Sequence, residues 1–148
     1  MKHLLILLVP ILILSCNNEP KMQEKDVPAT VKIALKALYP DVKKVKWENE
    51  NGNYEAGFES MDSEYSVLLD ANGSILETEI EINPDSLPVQ VKEYVDKNYD
   101  GQKIKEAAKI TDAIGNITFE AEIKGKDLMF DSNGNFIKVG LKQGKEND

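Results

Sequence analysis

The chain has 148 residues, 41% of them hydrophobic and 30% charged, which suits one globular domain and excludes both a fully disordered chain and a multi-span membrane protein. Removal of the first fifteen residues would leave 17 cations against 26 acids, a net charge of −9. That charge repels phosphate backbones, and no lysine- or arginine-rich run offsets it, so nucleic acid is not expected as a partner.

At the amino terminus, Lys2 and His3 precede an apolar run from Leu4 to Leu14 interrupted by Pro10. A membrane-spanning helix needs about 20 apolar residues. This run is shorter and reads as a signal peptide, residues 1–15. Ile13-Leu14-Ser15-Cys16 resembles the lipobox of bacterial lipoproteins, in which the cysteine is acylated and becomes the new amino terminus. The resemblance implies a lipid attachment at Cys16 and a location in the cell envelope, at the periplasmic side or outer membrane. Multiple acyl chains would hold the domain there stably. Residues 16–25 are polar, contain Pro20 and read as a flexible tether. Residues 143–148 read as a polar tail.

From Val27 the sequence repeats at an offset of sixty: Val27-Pro28, Val31, Lys32, Leu35 and Tyr39 are answered by Leu87-Pro88, Val91, Lys92, Val95 and Tyr99. Asp70-Ala71-Asn72-Gly73 is likewise answered by Asp131-Ser132-Asn133-Gly134. A domain over 26–142 with two units, 26–82 and 85–141, is expected. Each unit opens with a helix of about three turns. Val27, Val31, Ala34, Leu35 and Leu38 share one helical face, as do Leu87, Val91, Tyr94 and Val95. Pro28 and Pro88 suit the first turn, Pro40 stops the first helix and Gly101 follows the second.

After each helix the period becomes two. The first unit shows Val45 and Trp47, then Tyr54, Ala56 and Phe58, then Tyr65, Val67 and Leu69, then Leu76, Ile80 and Ile82. The second shows Ile104, Ala108 and Ile110, then Ile117 to Ile123, then Leu128 and Phe130, then Ile137, Val139 and Leu141. Asn51-Gly52, Asn72-Gly73, Lys124-Gly125 and Asn133-Gly134 supply hairpin turns. The expected architecture is α+β: two units of a helix plus four antiparallel strands, with the helices on one sheet face and the other face open.

A helix opening with Val/Leu-Pro and ending near Tyr39 and Tyr99, strands carrying Val45-Lys46-Trp47, and an Asp-x-Asn-Gly turn together resemble the PepSY-like family. The resemblance covers roughly residues 27 to 141 and implies an exported bacterial protein with the fold of β-lactamase inhibitor proteins. It names no catalytic residue. Proteins of related shape bind or restrain other proteins, which implies a binding or inhibitory module acting on a protein or peptide.

The chemistry available is narrow. Without His3 and with Cys16 acylated, the mature chain has neither imidazole nor free thiol, so His-dependent nucleophilic catalysis and the usual zinc ligand sets are excluded and no disulfide forms. No cofactor, metal site or catalytic residue is expected. Glu55, Glu59, Glu77, Glu79, Glu81, Glu120 and Glu122 allow acid–base chemistry by type, yet alternating glutamates opposite apolar residues describe a solvated sheet face. The Asp-x-Asn-Gly segments resemble the start of a calcium loop but lack its closing glutamate, and a hairpin turn is the stronger reading. Trp47, Tyr54, Phe58 and Tyr65 read as core. Leu68, Ile75, Met129 and Phe136 fall on the opposite parity at matching places in the two units, and form the expected partner-binding patch. A small-ligand or calcium binder and a carboxylate enzyme remain the alternatives.

Overall fold

The computed structural model describes residues 22–141. The signal segment, Cys16, most of the tether and the 143–148 tail lie outside them. A 3₁₀ turn at Glu24–Asp26 leads into helix α1, Ala29–Leu38, and then strands β1 (Lys46–Glu50), β2 (Asn53–Ser60), β3 (Ser63–Leu69) and β4 (Ile75–Ile82). The same order occurs again: a 3₁₀ turn at Pro84–Ser86, α2 (Val89–Asn98), β5 (Glu106–Asp112), β6 (Ile117–Ile123), β7 (Lys126–Asp131) and β8 (Phe136–Leu141). No helix among the described residues is long and apolar enough to cross a membrane.

All eight strands form one antiparallel sheet in the order β1 to β8. The seam between the halves is itself a strand pair, β4 with β5, in register from Glu77↔Asp112 to Ile82↔Ala107. Pro28 and Pro88 sit one residue before their helices, with extended ψ that feeds the first turn. Each helix stops where its tyrosine, Tyr39 or Tyr99, leaves helical geometry while still donating its N–H to the i−4 carbonyl.

Two apolar clusters lie under the helices. Val27, Val31 and Leu35 pack on Trp47, Ala56, Phe58, Val67 and Leu69; Leu87, Val91 and Val95 pack on Ala107, Ala121, Ile123, Leu128 and Phe130. Both belong to one sheet face, because Ile80, which pairs with Tyr65 in register, shares its parity with Ala107 across the seam. Burial of a Val, Leu, Ile or Phe side chain contributes about 1.5–3 kcal/mol, so these clusters are the main source of stability. Aromatic contacts reinforce them: Phe58 stacks on Tyr65 at 5.6 Å and Tyr94 on Phe136 at 4.5 Å between ring centroids.

Three expectations are corrected. The tether is ordered from Met22, whose N–H donates to the Trp47 carbonyl at 3.0 Å. This bridge extends the sheet beyond β1. In β5, Ala108 and Ile110 face away from the helices and Ala107 faces them, since Glu79↔Ile110 and Ala107↔Ala121 fix the register. In β8, Ile137 is 51% exposed and Phe136 packs in the core.

Candidate functional site

The sheet face opposite the helices carries the unusual chemistry. Every strand from β1 to β7 places at least one carboxylate on it, while Lys46 and Lys138 are the lysines that the strand register puts there among the described residues. Acid stands directly across from acid on neighbouring strands at Glu48↔Glu55, Glu59↔Glu64, Glu77↔Asp112, Glu106↔Glu122 and Glu122↔Asp127. Like charges so placed destabilise a sheet.

No helix covers this face, yet Glu50, Glu55, Glu120, Glu122 and Asp127 are all buried. The sheet curls, and the side chains shield one another. The charges report the same curvature: Lys138 on β8 acts on Glu77 on β4. On a flat sheet those strands would be about 19 Å apart, four spacings of about 4.8 Å. The face is therefore a trough, with an apolar floor of Leu68, Ala108, Ile110 and Met129. One end opens at the β2–β3 turn, where Glu59, Glu64 and Glu81 surround a hollow of about 470 Å³.

Glu79 lies near the middle. Burial first, then the charges of Glu120, Glu77, Glu55 and Asp127, push its carboxyl up to about 8. Burial together with Glu55 and Glu77 pushes Glu50 to about 7. Glu77 is raised by burial, Glu55 and Asp112, with Lys138 opposing. Glu55 is raised by burial even though the Ser66 hydroxyl donates to it. Near neutral pH the trough consequently holds protons as well as negative charge. It can attract cations and exchange protons, and Glu79 has the raised pKa that a general acid needs.

Of the four patch residues expected from sequence, Leu68 on β3 and Met129 on β7 share the open face, both buried in its floor at 6% and 3% exposed. Ile75 and Phe136 are corrected: both turn under the helices and pack against the two cores. The physical reason is the same in each half. The register shifts between Leu68 and Leu69 opposite β4, and between Met129 and Phe130 opposite β8. One extra residue in a strand reverses the facing of the side chains beyond it.

The Asp-x-Asn-Gly segments are turns. Asp70 Oδ1 accepts from the Asn72 and Ser74 N–H groups at 2.8 Å each, and Asp131 Oδ1 from Asn133 at 2.9 Å and Asn135 at 2.8 Å. These bonds hold both carboxyls below their ordinary range. A third turn of this kind, Asp112 accepting from Ile114 and Asn116, escaped the sequence pattern because it lacks the Asn before Gly115. Among the described residues no group of three or more His, Cys, Asp or Glu is placed to hold a metal ion.

With fold and trough defined, the comparisons fit closely. The family model described as "Putative beta-lactamase-inhibitor-like, PepSY-like" matches residues 15–77 and again 65–138. The chain belongs to this family. Similar solved structures include a BLIP-like protein of Bacteroides fragilis, 25% identical with a TM-score of 0.63, covering 82% of this chain and 92% of its own. A DUF2874 family protein of Bacteroides uniformis is 20% identical at a TM-score of 0.70, covering 81% and 93%. A protein of Bacteroides eggerthii, provisionally described as periplasmic, is 15% identical at 0.73, covering 82% and 93%. No curated protein matches the chain.

Proposed function

We propose that this protein is a non-enzymatic binding module of the cell envelope, anchored by lipid at Cys16, whose open trough takes a positively charged segment of a protein or peptide. The observation that carries this reading is the set of acid-on-acid neighbours Glu48↔Glu55, Glu59↔Glu64 and Glu77↔Asp112 on the uncovered face. A fold keeps self-repelling pairs where a partner relieves them, and local rules are broken at functional sites. The apolar floor of Leu68, Ile110 and Met129 matches the aliphatic stems of lysine or arginine side chains. The inhibitor-like family and a neighbour provisionally described as periplasmic support the same class and place.

Octalysine is a suitable probe. Titration calorimetry on the mature chain should show binding that weakens as salt rises. Glu120→Gln at pH 7, and Glu79→Gln at pH 9 where its carboxyl is ionised, should each weaken it at least fivefold while leaving the fold intact, because both keep side-chain volume. Leu68→Ser or Met129→Ser is a poorer test, since both side chains are buried. Octalysine that ignores the protein, or binds the two glutamine variants as well as the parent, would defeat the proposal. Anchoring has its own measurement: cells fed an alkyne fatty acid should label the parent and not a Cys16→Ala protein, which should leave the membrane fraction.

The raised pKa of Glu79 favours a second reading, a carboxylate enzyme. It is the weaker one, because the elevated acids spread across β1 to β4 instead of converging as a pair with distinct roles.

A further inference from the structure

The two halves serve as controls for each other. At positions sixty apart they share what the fold requires: Val31 and Val91, Leu35 and Val95, Tyr39 and Tyr99 all pack inward. On the outer side of the helices they differ in charge and polarity. The first half has Lys25, Ile33 and Lys36 where the second has Asp85, Glu93 and Asp96, while Lys32 is matched by Lys92 and Ala37 by Lys97. Ile33 is 69% exposed, so it is not held by packing. In the second half Lys92 is bound to Asp85 at 3.1 Å; its counterpart Lys32 reaches instead to the Glu24 carbonyl.

Beside α1 lies a groove of about 430 Å³ lined by Ile33, Tyr39, Val42, Val45 and Trp47, with Lys32, Lys36 and Lys43 among its rim residues. Val42 and Trp47 are answered by Gln102 and Ala107 in the second half. Glu24, Asp26 and Asp41 border this side, outnumbered by Lys25, Lys32, Lys36, Lys43 and Lys44. Apolar side chains set among lysines are the composition of a surface that lies in a membrane interface.

The position of the chain end agrees. Met22 joins the sheet at Trp47, in the wall of this groove. Six residue steps lead back to Cys16, a span of at most about 20 Å when fully extended. An anchor at Cys16 would hold this side, and not the trough, near the bilayer. The trough's negative charge lies beyond the sheet and beyond α1, itself about 10 Å across. That exceeds the screening length of about 8 Å at physiological salt, so it does not cancel the local attraction.

We propose that the α1 side, formed by Lys25, Lys32, Ile33 and Lys36 with the adjoining groove, is the surface by which the domain rests on an anionic phospholipid membrane, turning the trough outward. The orientation rests on the anchoring reading, but the affinity can be measured without an anchor. The chain from residue 16 onward, which contains every element of the fold, is prepared with Cys16→Ser and sedimented with vesicles. It should bind vesicles of equal phosphatidylglycerol and phosphatidylcholine, and bind pure phosphatidylcholine at least tenfold more weakly. The variant Ile33→Glu, Lys36→Asp carries the second half's residues at these positions. It should lose at least tenfold on the anionic vesicles with an unchanged melting midpoint, and Ile33→Glu alone should lose part of this. Absence of binding to the anionic vesicles, or equal binding by the variants, overturns the proposal. So does self-association in sedimentation velocity that the double variant abolishes, which would make this face an interface between copies. Failure of fatty-acid labelling at Cys16 would instead remove only the anchor.

Discussion

Raising the pH from 5 to 9 should destabilise this protein, and Glu79→Gln should remove much of that loss. The folded carboxyl titrates at about 8 and an unfolded glutamate near 4.5, so through this window the folded state binds the extra proton. Stability is then present below about 4.5, falls as pH climbs through 8, and levels off above it. Glu50, raised to about 7, adds in the same direction over a narrower window, and the upward displacements of Glu55 and Glu77 have the same sign. The lowered Asp70, Asp112 and Asp131 act oppositely, since their contribution is lost as the medium becomes strongly acidic. The optimum should therefore lie near pH 4 to 5. A tenfold change in an acidity constant corresponds to about 1.4 kcal/mol. Discounted for solvent reaching the trough, Glu79→Gln should gain about 2–4 kcal/mol at pH 9. At pH 4.5 the gain should vanish. Urea unfolding at both values decides it, and a parent protein that grew more stable between pH 5 and 8 would contradict the trough's electrostatics.

Gly73→Ala should cost more than Gly52→Ala, by about 1–3 kcal/mol, although both glycines have left-handed backbones with φ of +85° and +89°. The conformational cost, about 1–2 kcal/mol, is common to both. What differs is space. A Cβ at Gly52 meets nothing within 4 Å, whereas at Gly73 it would lie 2.9 Å from the Thr30 carbonyl oxygen and 3.0 Å from Ala34 Cβ. The β3–β4 turn is clasped against α1, and the Thr30 hydroxyl donates to the Ala71 carbonyl at 2.9 Å. Gly134 stands in the same relation to α2, its Cβ falling 2.9 Å from that of Gln90. Equal melting losses for Gly52→Ala and Gly73→Ala would show that this contact carries no weight.

That clasp explains why the Asp-x-Asn-Gly pattern could be read as a turn from sequence while its glycine's second duty could not. The turn needs only local chemistry. The close approach depends on a helix some forty residues earlier, the separation of Thr30 from Ala71. Strand number, hairpins and helix limits were legible for the former reason, being written in Pro28, Pro88, Asn51-Gly52 and the two-residue alternation of Tyr54, Ala56 and Phe58.

Facing was less legible. Bulges opposite Leu69 and Phe130 carry no residue signature, and they turned Ile75 and Phe136 inward. In β5 the adjacent Ala107 and Ala108 fit either phase, and the trough floor at Ile110 is as apolar as a core position. The glutamates of β4 alternate as a solvated face does. Their burial comes from curvature across eight strands, which no local window contains.

The seam between β4 and β5 bears on kinetics. Because six consecutive register positions weld the halves, the concavity is already shaped before any guest arrives, with no hinge to close. A visitor loses little free energy to rearranging its host, so collision and charge steering should govern how fast it arrives, and the quality of fit how long it stays.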